Sequence, residues 1–274
     1  LHMHTPAVPE DWDAQNPINK AEGISPEIYF NELQKTDLDI VAITDHNTVK
    51  WCRPLMELSK ASRESGKETV HILPGVEITT SEGPHIIGIF EENIDLIPDI
   101  ENMLIQMGII GDGSVNDMVG NNLDKPKTIT EVFEMIDRLG GLVIAPHIQS
   151  GEAGLFGCKQ FRYRKRALDH PSLSILAAPS GRIKVVENKG KPRRLLFATM
   201  NDEEYLRKYA FINVSDCHKI EDFTVNTTWI KMSEPTLEGI RQIIFEPELR
   251  VCNKIQDTGK KGIANPLAFH FSKP

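Results

Sequence analysis

The chain is poor in the features that define several common protein classes. It has four cysteines, Cys52, Cys158, Cys217 and Cys252, far apart and without a CxxC pair. That spacing argues against a disulfide framework or a zinc ribbon and fits a reducing compartment, so a cytoplasmic location is expected. No apolar run is long enough to cross a bilayer. A signal-peptide pattern is missing, although the sequence begins inside what reads as a strand. The chain is therefore expected to start upstream of Leu1, where a targeting segment could lie. There is no internal repeat, no phosphate-binding GxxxxGK[ST] loop, no Gly-x-Ser-x-Gly elbow, no Cys/His protease pattern and no dinucleotide fingerprint. Positive charge is also in deficit: 31 Lys and Arg stand against 39 Asp and Glu, a formal net charge of −8. A uniformly acidic body does not hold nucleic acid by bulk electrostatics. Bound metal would neutralise part of that charge.

What is present is an alternation of short apolar runs with helical spacing over 274 residues. Helices are expected at 25–35, with Pro26 in the first turn, and at 49–65, 97–107, 128–139 and 236–245. Strands are expected at 1–4, 39–44, 70–73, 76–79, 85–90, 142–145, 183–186, 211–214 and 228–232. Residues 108–127 form a connector too long for a routine turn. A single α/β barrel fits this order better than two lobes, and the mouth of such a barrel collects residues from many strand ends.

The chemistry-bearing residues sit at those strand ends. They are His2-x-His4, Thr44-Asp45-His46, Gly75-Val76-Glu77, Pro84-His85, Pro146-His147 and Asp216-Cys217-His218. His2 and His4 are two apart, so on a strand both project to one face and can reach one ion; Asp216 and His218 repeat that spacing. Imidazole with carboxylate suits zinc, manganese or iron. Glu77 can bridge two ions through its two oxygens. A lone strand-end histidine is usually a hydrogen-bonded residue, which is the reading for His71, His170 and His270. The joint pattern favours a metal cluster and a metal-dependent hydrolase.

In that order the motifs resemble the PHP (polymerase and histidinol phosphatase) family over roughly residues 1–250. The resemblance implies a distorted (β/α)7 TIM-like barrel with phosphoesterase activity at a trinuclear site of divalent ions. It implies one ion on His2, His4, Glu77 and Asp216, and a second on Glu77, His85 and His147. A third would take His46, His218 and an acid from the loop after the first motif. Asp11 is the choice there, with Glu10 and Asp13 as alternatives. Thr228 to Lys231 and the Glu246-Pro247-Glu248-Leu249-Arg250-Val251 segment resemble, more narrowly, the PHP domain that precedes the ATPase of TrlF-type proteins. On that resemblance residues 1–252 are the phosphoesterase domain, and 253–274 a tail towards a covalently linked ATPase domain.

Three residues are marked for catalysis: Glu77 as the bridge, Asp45 to orient a ligand or shuttle a proton, and His218 beside the third ion. The nucleophile expected is a metal-activated water, with no covalent intermediate. For substrate, Lys159, Arg162, Arg164 and Arg166, interleaved with Phe161 and Tyr163, could form a basic groove with stacking rings. A solvated helix face explains them equally simply. The favoured substrate is nucleic acid, single-stranded in one version, or a nucleotide. The alternatives are a small-molecule phosphatase and a noncatalytic metal-binding module.

Overall fold

The structure is a computed structural model that describes residues 1–12, 21–110, 116–158, 161–178, 185–188, 191–194 and 209–252. Its centre is a curled sheet of six strands. These are β1 (Ile40–Ile43), β2 (His71–Thr79), β3 (His85–Ile89), β4 (Leu142–Ala145), β5 (Leu173–Ala178) and β8 (Ala210–Asn213), hydrogen-bonded in that order. β1/β2, β4/β5 and β5/β8 pair parallel, and β3 runs antiparallel to both neighbours. Residues 1–4 span the gap between the two edges of the sheet. Met3 bridges in parallel to Ile43 on one side and to Cys217 on the other. Thr44 N donates to Met3 O (2.9 Å), and Asp216 N donates to His2 O (3.1 Å).

The helices lie where the apolar spacing put them. α1 (Pro26–Leu33) is capped by Ser25, and α4 (Ile129–Arg138) opens on a capping box between Thr128 and Glu131. α2 (Cys52–Glu64), α3 (Ile97–Gln106) and α4 each bury one stripe. In α4 that stripe is Ile129, Val132, Phe133 and Ile136. The helices pack on one face of the sheet, against Val41, Ile43, Ile72, Val76, Ile78, Ile86 and Val143. The other face is a second apolar cluster of Ala42, Leu73, Ile87, Ile89, Leu142, Ile144, Ile175, Ala177, Ala210 and Ile212. Leu237, Ile240 and Ile243, from the helical turns at 237–244, pack into this interior. The two sets alternate residue by residue, as strand geometry requires.

Four expectations differ. The pair 70–73 and 76–79 is one strand, β2, running through Pro74–Gly75. Its first half pairs with β1 and its second half with β3, so Pro74–Gly75 is where the ladder changes partner. Gly75 is needed there, because a β-carbon would stand 2.8 Å from Thr44 Cγ2 and 3.0 Å from Ile43 O and Gly88 O. A regular repeat of strand and helix is interrupted between β2 and β3, which a connection of residues 80–84 joins as a hairpin. So short a link permits only antiparallel pairing. The strand expected at 183–186 falls in a separate antiparallel hairpin of β6 (Val185–Asn188) and β7 (Lys191–Arg194), with residues 183 and 184 outside the described set. Of 228–232 only β9 (Trp229–Ile230) is a strand, paired with β10 (Val251–Cys252). Residues 253–274 lie outside the described residues. No described helix is long and apolar enough to cross a membrane.

Gly75→Ala should destabilise the metal-free protein by about 1–3 kcal/mol, the usual cost of overpacking a tight interior. Urea unfolding checks this; wild-type stability would show that β1 and β2 have room to part.

Candidate metal centre

Sheet parity carries the chemistry to one place. Glu77 shares its face of β2 with Leu73. His85 shares its face of β3 with Ile87 and Ile89, and Asp216 continues the Ala210, Ile212, Val214 row. All of these rows point into the sheet's concave interior, and their last members gather at one end. Glu77 is the hub, 1% exposed. Its Oε1 is 2.9 Å from His85 Nδ1 and 2.8 Å from His147 Nε2. Its Oε2 is 3.3 Å from His4 Nε2 and 3.5 Å from both His2 Nε2 and His46 Nε2. Asp216 Oδ1 lies 3.0 Å from His2, 3.4 Å from His4 and 3.6 Å from His218. Asp11 Oδ2 lies 3.1 Å from both His4 Nδ1 and His218 Nδ1, and 3.7 Å from His46.

All nine residues expected from the sequence as metal ligands therefore meet. Of the three acids weighed in the first loop, Asp11 enters the cluster; Glu10 is exposed, and Asp13 lies outside the described residues. The donor atoms group differently from the sets the family resemblance implied. His2, Glu77, His147 and Asp216 offer one set of atoms within 4.8 Å of one another. His4, Asp11 and His46 form another, His4, Asp216 and His218 a third, and His46, Glu77 and His85 a fourth.

The donor set fits divalent ions on a separate observation. His2 Nε2, both ring nitrogens of His4, Asp11 Oδ2, Glu77 Oε2 and His218 Nδ1 are buried without a hydrogen-bond partner. Buried polar atoms are rarely left so. Here they are close together yet badly aligned for hydrogen bonds, as atoms aimed at a shared point would be. Burial pushes the Glu77 carboxyl up, but the His2, His46, His147 and His4 imidazoles outweigh it and hold it well below the usual range. Asp216 and Asp11 are likewise held low against burial, chiefly by His2 and by His218 respectively. Burial lowers His46 to about 4. His218 is raised to about 9, because the nearby Asp11 and Asp216 carboxylates outweigh its burial. Without metal, then, ionised carboxylates are balanced by protons on part of the imidazole set, and a cation would replace those protons.

Asp45 has both carboxylate oxygens engaged by Thr5. Its Oδ1 accepts from Thr5 N (2.6 Å) and its Oδ2 from Thr5 Oγ1 (2.7 Å), which clamps the chain just after His4. Burial raises it to about 7. Of the basic cluster, Lys159 lies outside the described residues. α5 (Phe161–Asp169) carries the rest: Arg162 and Arg166 are exposed, while Arg164 donates to Phe156 O (3.2 Å) and sits over the Phe156 ring. That bond ties Arg164 to the loop after His147. His71 pairs with Glu92 (2.9 Å), and His170 stacks edge-on against Phe133.

Three supporting residues were not identified from sequence. Thr44 Oγ1 takes up His2 Nδ1 (2.8 Å), which leaves Nε2 for the cluster. Tyr29 OH donates to His4 O (2.9 Å). Asn47, next to His46, donates from its backbone to Glu77 O (2.8 Å) and from Nδ2 to Asp117 O (2.8 Å), and accepts from Thr79 N (3.2 Å). It does so at φ 55°, and His147 and Asp216 also have positive φ, 27° and 50°. Asparagine beside a TDH triplet in a strand-to-turn position was the available sign, since Asn tolerates the left-handed region.

No family model matches the chain. It is 30% identical over 149 residues to an uncharacterized protein of Methanocaldococcus jannaschii, a match covering 54% of this chain and 65% of the relative. Among solved structures it resembles a lesion-specific endonuclease from Pyrococcus furiosus (TM-score 0.58, 16% identity), over 89% of this chain and 54% of that one. It also resembles a two-domain protein from Bacteroides vulgatus containing a predicted PHP-like metal-dependent phosphoesterase (TM-score 0.53, 16% identity, 91% and 62% covered). The chain thus spans between half and two thirds of the length of these three proteins. The structural likeness shows that this chain shares its fold with those two proteins.

Asn47→Ala should lose more stability than Asn47→Gly. Both lose the amide contacts, but only alanine must hold a β-carbon at φ 55°, a further cost of about 1–2 kcal/mol. Chemical denaturation of the metal-free variants tests this. Equal midpoints for the two would show that a β-carbon at position 47 carries no strain.

Proposed function

We propose that the chain is a metal-dependent phosphoesterase that cleaves phosphate esters of nucleic acid or nucleotides with an activated water. One observation carries this: the Glu77 carboxylate, 1% exposed, divides its two oxygens among the imidazoles of His2, His4, His46, His85 and His147. As a purely structural device this would be a poor investment, because buried ionic clusters stabilise less than apolar packing of the same volume. As a ligand set it is well adapted.

His2, His4, Asp11, His46, Glu77, His85, His147, Asp216 and His218 would hold two or three divalent ions, for which manganese, zinc and iron all suit the donors. When bound, such ions lower the pKa of water to about 7 and offset the charge of a phosphoryl group. The chain's own residues do the rest. Glu77 keeps the surrounding imidazoles in fixed relation through both of its oxygens. Thr44 and Tyr29 set the orientation of the His2–His4 segment. Asp45 holds Thr5 and with it the turn that carries Asp11 into the site; that is a positioning role. His218, a third exposed, stands at the solvent side of the cluster, between Asp11 and Asp216.

A nucleic-acid substrate is supported by the fold it shares with an endonuclease solved with a 27-mer duplex bearing an abasic lesion at its active site (TM-score 0.57, 15% identity, 89% of this chain and 55% of that one). Arg162 and Arg166 on α5 are exposed cations outside the cluster.

The test joins metal analysis to hydrolysis assays with manganese, zinc or iron. Substrates would be single-stranded DNA, short RNA, a duplex with an abasic site, mononucleotides and histidinol phosphate. Cleavage of chains is expected; release of inorganic phosphate alone would select the small-molecule phosphatase. Glu77→Ala and His147→Ala should each reduce hydrolysis to the metal-free level while circular dichroism shows the fold retained. Full activity in both would overturn the site.

A further inference from the structure

The threonines around the mouth behave alike with one exception. Thr5 Oγ1 donates to Asp45 (2.7 Å), Thr44 Oγ1 pairs with His2 (2.8 Å), Thr48 Oγ1 accepts from Lys50 N (3.3 Å) and Thr80 Oγ1 donates to Pro84 O (2.6 Å). The hydroxyl of Thr79 has no partner, although the residue is only 8% exposed. It is the only buried threonine or serine hydroxyl in that condition among the described residues.

Its position is set by register. Thr79 lies two residues beyond Glu77 on β2, so both side chains leave the same face of the strand, about 7 Å apart along it. It pairs directly with His85 across the β2/β3 ladder. Side chains of a directly opposed pair emerge on the same face. His85 in turn reaches Glu77 Oε1 (2.9 Å). Thr79 is therefore one step farther out than the Glu77 hub, on the interior side, beside a ring that belongs to the cluster. Its backbone is fixed on both sides, the N–H by Asn47 Oδ1 (3.2 Å) and the carbonyl by Val119 N (2.9 Å). A second unpartnered donor, Gln149 Nε2, lies two residues beyond His147 on the neighbouring loop.

We infer that the Thr79 hydroxyl contacts substrate, donating a hydrogen bond to a nonbridging oxygen of the phosphoryl group presented to the cluster. The inference rests on the phosphoester reading above and names a residue that grips the reacting group. A buried hydroxyl without a partner costs stability, so a fold that keeps one at the edge of a ligand cluster, on a backbone held from both sides, keeps it for something that arrives. A phosphoryl oxygen beside divalent ions is an acceptor of the right charge. A hydrogen bond to a charged group is worth enough to change affinity on the order of tenfold or more.

The test uses Thr79→Val, which keeps the β-branched shape and deletes only the hydroxyl. Four quantities are measured on the wild type and the variant. These are manganese content, the thermal midpoint without metal, the calorimetric Kd for inorganic phosphate on the manganese-loaded protein, and KM and kcat for bis(p-nitrophenyl) phosphate. The expected result is equal manganese content, an unchanged or higher midpoint, and phosphate Kd and KM weakened by on the order of tenfold, with Thr79→Ser recovering most of the loss. An unchanged phosphate Kd overturns the inference. So does a lowered midpoint with loss of manganese, which would mark the hydroxyl as structural. A wild type that binds phosphate but hydrolyses no ester would sink the proposed activity, and the inference would then stand or fall on the phosphate Kd alone. A wild type that binds no phosphate overturns the inference outright.

Discussion

Everything at the mouth of this sheet depends on burying the carboxylate of Glu77. A lone ionised carboxylate in that position would cost several kcal/mol or would take up a proton. Here it stays ionised because imidazoles crowd both of its oxygens, with Asp216 and Asp11 forming a second tier of anions between His2, His4, His46 and His218. The same crowding constrains the backbone. Glu77 can reach the centre only because β2 continues past Pro74–Gly75 instead of stopping there, and it continues because Gly75 lets Thr44 and Ile43 approach closely. The packing at one glycine and the charge at one glutamate are parts of a single solution.

Most of the candidate ligands were legible in the sequence because of a parity rule. Each stands at the end of an apolar run, and runs whose alternate residues fill one interior must send their last members to one mouth. That is why His2, His4, Glu77, His85 and Asp216 could be grouped without coordinates; Asp11 came instead from the family resemblance. The direction of β3 was not legible in the same way, since hydrophobic patterning carries no sign for strand polarity. The five-residue link at 80–84 carried that information. Pro74–Gly75 was read as a break because that pair commonly ends a strand, and only the change of partner from β1 to β3 explains why it does not.

Residues whose role comes from pairing across strands were beyond the reach of the sequence. Thr44, Asn47 and Thr79 are ordinary polar residues near turns until register sets them beside His2, Glu77 and His85. The basic run near 159–166 is a different case. Its composition suggested a phosphate-binding groove, yet Arg164 is engaged with Phe156, and only Arg162 and Arg166 stand exposed among its described arginines. Composition reports what a segment could bind, whereas the partner it already has decides what is left over.

The backbone gives an independent measure of how firmly the site is held. Among the described residues, non-glycine positive φ occurs at Asn47, His147, Asp216 and Asn226, and the first three ring the cluster. Such conformations cost of order 1–3 kcal/mol each and persist only where the surroundings over-determine them. Asn47 is held by the bonds to Glu77, Thr79 and Asp117, and Asp216 by its bond to His2 O. The supporting framework is the apolar interior of Leu73, Ile87, Ile144, Ile175 and Ile212, close-packed beneath the mouth. A rigid floor of this kind allows strained residues above it to keep their directions. Donor atoms that must meet one cation within a few tenths of an ångström need that rigidity whether or not the cation is there. The strain and the unpartnered donors are therefore two signs of one property: a rigid site whose donor atoms are not satisfied by one another.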